Sequence, residues 1–307
     1  MSLRRWFFTP QGVWRLPWRL VWTGLTWLTL TLVLSVLSAV MFALSGSPRF
    51  FTQLDTSTVS AAAYAWMAGV AAAGTALTLA LAARFWEPLT WDDFGLRLNR
   101  AAWRDVTWGF AVGGLMQGGV AVALYLSGVA RWHVAAPQAW PRQIASVGLW
   151  LGVFALIGWY EEALLRGYLY TTLNHSLGRW SAAALSSLVF AGLHAGNPGF
   201  GVGAFIGLTL VGLFFVAVRR STPWGVALPV GVHWGWNFFE GVVFGFPVSG
   251  LEVPTLGRMT LAGPEWWTGG AFGPEAGVVV LVALAVGWAL LRGQRPNLRP
   301  SSAERTP

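Results

Sequence analysis

The sequence predicts an all-α, polytopic integral membrane protein with about eight transmembrane helices, and three observations carry that class. The chain of 307 residues is 55% hydrophobic and only 10% charged, with a mean hydropathy of +0.56. Two long runs, 20–44 (LVWTGLTWLTLTLVLSVLSAVMFAL) and 277–291 (GVVVLVALAVGWALL), contain no ionisable side chain. A run of ~20 apolar residues is what crosses the ~30 Å hydrocarbon layer of a bilayer. Finally, the 20 basic residues are all arginine, and most of them fall in alternate connecting segments.

Taken in order, the expected spans are 20–44, 60–83, 106–130, 144–174, 179–195, 200–219, 224–246 and 275–292. The first is too long for a signal-peptide core and has arginines ahead of it, so it reads as a retained span. Breaker-rich connections separate the others: SGSPRFFTQLDTST, WEPLTWDDFGLRLNR, GNPG and RRSTP. The 38 glycines and 21 tryptophans suit close helix packing and interfacial belts. The tail RGQRPNLRPSSAERTP is rich in Arg and Pro and reads as disordered. Three segments result: 1–143 with the first three spans, a central segment 144–246, and 247–307 with an outer loop, the last span and the tail.

Arginine placement orients this scheme. With the N-terminus inside, the outer connections hold only Arg49, Arg131, Arg142 and Arg258, and the cytoplasmic ones hold all others except Arg166. That asymmetry places both termini in the cytoplasm. The net charge of +8 then reflects topology and anionic lipid headgroups, with no nucleic-acid partner implied.

Composition also removes chemistries. The chain has no cysteine, which excludes disulfides, thiol nucleophiles and thiolate metal sites, and no lysine, which excludes Ser-Lys chemistry. No GxSxG occurs, and all four aspartates (Asp55, Asp92, Asp93, Asp105) fall in loops or at a span edge, against an intramembrane aspartyl pair.

Polar residues inside spans are expensive and therefore functional suspects. They are Glu161, Glu162 and Arg166 in the fourth span, His194 in the fifth, and His233, Asn237 and Glu240 in the seventh. Glu162 and Arg166 are four apart and share a helix face, so they can form a neutralising pair or act directly. Glu161 points about 100° away and lacks such a partner. His233 and Asn237 also share a face, and Phe190 lies one turn before His194. At ~1.5 Å per residue, Glu161, His194, His233 and Asn237 reach similar depths, somewhat beyond mid-membrane. Bland readings go to His133 and Asp55 in outer loops and to Asn174 and His175 at a helix end. Glu240 is ambiguous, on the His233 face but nearer the outer interface.

At these residues the chain resembles the CPBP (ABI) family, the type II CAAX prenyl endopeptidase-like and bacteriocin-processing intramembrane proteases. The family's EExxxR, FxxxH and HxxxN motifs stand here as EEALLR (161–166), FAGLH (190–194) and HWGWN (233–237). The resemblance covers roughly 144–246 and implies an endopeptidase acting on a membrane-associated or prenylated protein or peptide. It implies that Glu161 activates water with His194, and that His233 and Asn237 stabilise the oxyanion. Glu162, Arg166 and Phe190 would support the site. Desolvation suits a carboxylate to the base role, and an amide donates well to a developing oxyanion. No cofactor is required on this reading. Zinc held by Glu161, His194 and His233 is the alternative, disfavoured because the ligands come singly from three helices without HExxH. A proton-coupled transporter or a non-proteolytic scaffold or immunity protein are the competing functions, and no repeated halves support transport.

Overall fold

The computed structural model describes residues 4–44, 61–134, 140–223, 225–255 and 257–292. Its α-helices of eight residues or more are α1 (Leu16–Leu44), α2 (Ala61–Phe85), α3 (Arg100–Leu126), α4 (Trp140–Glu162), α5 (Tyr170–Leu177), α6 (Arg179–Leu193), α7 (Val202–Arg220), α8 (Ala227–Asn237) and α9 (Val280–Arg292). A π-helical stretch, Ala163–Leu169, joins α4 to α5 as one rod, and a second, Phe238–Val243, extends α8. The expected tail, and the loop holding Arg49 and Asp55, lie outside the described residues.

Two findings add to the expected architecture. The chain is mostly helical, but β1 (Ala130–Val134) pairs antiparallel with β2 (Gly257–Leu261), placing Trp132 opposite Met259. His133 therefore sits on a strand, its Nε2 3.0 Å from the Thr260 hydroxyl. Secondly, among the described residues five of the eight expected spans are helical segments long and apolar enough to cross a membrane: α1, α2, α3, the α4–α5 rod and α7. Among the described residues α6 and α9 have 15 and 13 residues, and α8 has 11 followed by its six-residue π-helical extension. With several apolar spans, this is a polytopic integral membrane protein.

Local chemistry sets the boundaries. The third helix begins earlier than expected because the Asn99 side chain caps it, accepting the Ala102 N–H at 2.8 Å. Gly178, with φ 80°, turns the chain from α5 into α6.

The packing that matters most for function joins α3 to α8. Gly109 and Gly113 on α3 face Gly231 and Gly235 on α8. A Cβ on Gly109 would lie 2.6 Å from the Leu228 carbonyl, and one on Gly235 would collide with the carbonyl of Phe110. Small residues at i and i+4 on both partners thus bring the backbones into contact, which dispersion rewards in an apolar medium. On another side Gly158 admits the α8 backbone, a Cβ there lying 3.2 Å from the Trp234 nitrogen. The helices bearing Glu161 and His233 are thereby held together.

A second polar network ties α1 to the rod. Arg19 donates to Glu87 at 2.8 Å and to Ser176 at 2.7 Å, and the Tyr168 hydroxyl donates to Glu87 at 2.9 Å. Arg19, Glu87 and Thr23 are all buried, so these charges are paired and hydrogen-bonded as burial demands.

Candidate active site

Glu161 and Glu162 close α4, immediately ahead of the π-helical stretch. Glu162 is fully buried, and its Oε1 accepts from Arg166 Nη1 at 2.8 Å. Arg166 also donates to the Gly212 carbonyl at 3.4 Å, and its guanidinium lies 4.4 Å from the Phe190 ring centre and 5.0 Å from that of Phe215. The charge is therefore neutralised by one carboxylate and flanked by two aromatic rings.

The same oxygen of Glu162 meets His233 Nδ1 at 3.0 Å. A carboxylate only accepts, so Nδ1 carries the proton and Nε2 is turned the other way. Phe215 stacks on the imidazole at 5.2 Å, with an interplanar angle of 23°. With the ring fixed on two sides, His233 Nε2 stands 3.9 Å from Glu161 Oε2. The nearer carboxylate of His233 is thus Glu162, a partnership that helical spacing could not show. Tyr160 donates to the other Glu161 oxygen at 3.4 Å.

His194 follows the last residue of α6, and its Nδ1 lies 2.8 Å from the Phe190 carbonyl. That carbonyl accepts, so Nδ1 again carries the proton and Nε2 is the nitrogen left for chemistry. Phe190 accordingly orients His194 through its carbonyl and flanks Arg166 with its ring. Asn237, 6% exposed, is the last residue of α8.

One cavity of about 420 Å³ gathers these groups. Glu161, His194, His233 and Asn237 all line it, with Asn197, Ser249 and Glu275. Its remaining wall is largely apolar, formed by residues such as Trp27, Tyr64, Met67, Trp150 and Phe154. Among the described residues, no group of three or more His, Asp or Glu is gathered closely enough to hold a metal ion. The arrangement of Glu161, His194 and His233 as placed does not fit zinc. What the site offers is a carboxylate, two oriented imidazoles and an amide around a space able to admit a peptide bond and water.

Sequence reasoning missed Glu275, which stands at the very edge of the last expected span, and Ser249 and Asn197, which fall outside the motifs. Glu275 reaches the cavity through tertiary packing, where Gly207 of α7 leaves room for the Glu275 backbone. Glu240, ambiguous by sequence, is fully buried and outside the cavity lining.

Fold and site together define a polytopic membrane protein with a cavity lined by glutamate, histidine and asparagine. Residues 143–239 match the family model described as type II CAAX prenyl endopeptidase Rce1-like, a span that includes all three motifs. Over that segment the chain is similar to the type II CAAX prenyl endopeptidases of that model. No curated protein and no solved structure matches the chain.

Proposed function

We propose that the protein is an intramembrane endopeptidase that hydrolyses a peptide bond in a membrane-anchored or prenylated protein or peptide, using water activated by Glu161. The observation that carries this reading is the convergence of Glu161, His194, His233 and Asn237 on one cavity.

Water held between Glu161 and His194 Nε2 loses a proton to the Glu161 carboxylate as its oxygen attacks the carbonyl carbon. The Asn237 amide donates to the developing oxyanion, joined by Nε2–H of His233 when that ring is doubly protonated. Collapse of the intermediate breaks the C–N bond, and the proton on Glu161 passes to the leaving amine. Glu162 and Arg166 act through His233, holding its ring in register.

We take this step to run without a metal. Stoichiometric zinc in purified protein, lost in His194→Ala, would overturn that choice. We also place both termini on the cytoplasmic side, on the arginine asymmetry. The decisive experiment reconstitutes wild type, Glu161→Gln and Asn237→Ala with membrane peptides and follows products by mass spectrometry. Glu161→Gln should abolish cleavage, and Asn237→Ala should slow it by about 10²–10³-fold. Equal cleavage by wild type and Glu161→Gln removes the mechanism.

A further inference from the structure

Two arginines ahead of α1 have no carboxylate to neutralise them. Residues 1–54 contain five arginines and neither Asp nor Glu. Arg19 is used internally, by Glu87 and Ser176. Arg5 and Arg15 are exposed and belong to no ion pair among the described residues.

The chain folds back on itself here. Phe8 pairs antiparallel with Trp14 across a turn in which the Thr9 N–H donates to the Val13 carbonyl at 2.7 Å and Gly12 takes φ 80°. The Arg15 N–H donates to the Phe7 carbonyl at 2.8 Å, and its Nε donates to the Arg5 carbonyl at 2.9 Å. The Trp18 indole N–H reaches the Trp6 carbonyl at 3.0 Å. Rings brace the hairpin: Phe7 lies 4.8 Å from Trp18, Phe8 4.4 Å from Trp14, and Trp14 5.8 Å from Trp22, centre to centre. The Arg15 guanidinium is thereby fixed against the Arg5 backbone through Nε alone, and its two terminal nitrogens make no hydrogen bond to a described residue. Two positive charges held in one hairpin repel, and an anion from outside removes that cost.

The surroundings name the anion. The hairpin runs directly into α1, whose only buried residues are Arg19 and Thr23, while Leu25, Leu28, Leu32 and Leu37 are each more than half exposed. In a bilayer that surface meets acyl chains. Tryptophans cluster where such a span enters the headgroup layer, as Trp6, Trp14, Trp18 and Trp22 do here. We propose that residues 5–18 form a binding site for an anionic phospholipid, with Arg5 and Arg15 taking the headgroup phosphate and the acyl chains lying along the exposed side of α1. The planar guanidinium fork suits phosphate oxygens. A zwitterionic lipid carries its own cation beside its phosphate, so the site prefers a net-negative one. None of residues 5–18 lines the cavity that holds Glu161.

The test counts lipid on the full chain. Wild type in maltoside micelles is titrated with phosphatidylglycerol or phosphatidylcholine of identical acyl chains, and bound copies are resolved by native mass spectrometry. Phosphatidylglycerol should bind at least about tenfold more tightly, equivalent to about 1.4 kcal/mol. Arg5→Gln keeps the backbone carbonyl that holds Arg15, so the hairpin survives, and it should reduce that ratio at least about threefold. Arg84→Gln with Arg292→Gln removes twice that charge from the last turns of α2 and α9 and should leave the ratio within about twofold of wild type. A wild-type ratio within about twofold of unity overturns the proposal, and so does an unchanged ratio in Arg5→Gln. An equal loss in the Arg84 and Arg292 control overturns it too, since the attraction would then be diffuse. Displacement of the bound lipid by soluble glycerol phosphate would assign the two arginines to a soluble ligand and overturn the lipid site.

Discussion

Glu162 offers the sharpest test of how the site is built. Its Oε1 serves Arg166 at 2.8 Å and His233 at 3.0 Å, and Arg166 and Glu162 have no exposed surface. Replacing it by alanine leaves the guanidinium with one 3.4 Å bond to the Gly212 carbonyl and two ring faces. Removing one member of a buried ion pair costs about 3–5 kcal/mol. Glu162→Gln keeps the volume and one accepting oxygen, so its cost should be nearer the about 1.5–3 kcal/mol of a hydrogen bond to a charged group. Combining Glu162→Gln with Arg166→Met removes both charges and should recover much of the loss, because apolar replacement of a whole buried pair is often neutral. The assay is equilibrium unfolding in mixed micelles of rising dodecyl sulfate content, followed by tryptophan fluorescence. A double-mutant cycle extracts the coupling. Single losses below about 1 kcal/mol, or a double loss equal to their sum, would refute the reasoning.

The remaining predictions concern packing and surface charge. Gly235→Val should prevent the approach of α3 and α8 and sharply reduce the monodisperse fraction after detergent extraction, whereas Gly152→Ala, which opens onto free space, should not. A well-behaved Gly235→Val protein would mean that the two backbones are not in contact. Arg19→Ala should cost about 3–5 kcal/mol in the same unfolding assay through the buried Glu87 it abandons. Asp92→Asn, which breaks the exposed pair with Arg97, should change stability by less than about 1 kcal/mol.

Much of this was legible in the sequence because the membrane makes polarity informative. A buried charge among apolar residues stands out, which is how Glu161, Glu162, Arg166, His194, His233 and Asn237 were found before any geometry. Long apolar runs likewise marked α1, α2, α3, α7 and the α4–α5 rod. The sequence does not show that α8 continues into a π-helical stretch or that α6 stops at the turn that presents His194. Pairing of β1 with β2 was invisible because it joins segments more than a hundred residues apart. Glu275 went unseen for a related reason. It sits among loop residues where a carboxylate is unremarkable, and only the fold carries it to the cavity wall. The contact of His233 with Glu162 was missed because helical spacing relates residues within one helix and says nothing across two.

The rings of Phe190 and Phe215 have one more consequence. Glu161 borders the cavity, while Glu162, one peptide bond away, has no exposed surface and pairs with the Arg166 that the two rings flank. Two neighbouring carboxylates therefore inhabit different surroundings, one bordering the cavity and one enclosed with a guanidinium that two phenyl rings flank. Water can enter or leave the cavity without loosening the ion pair that holds His233.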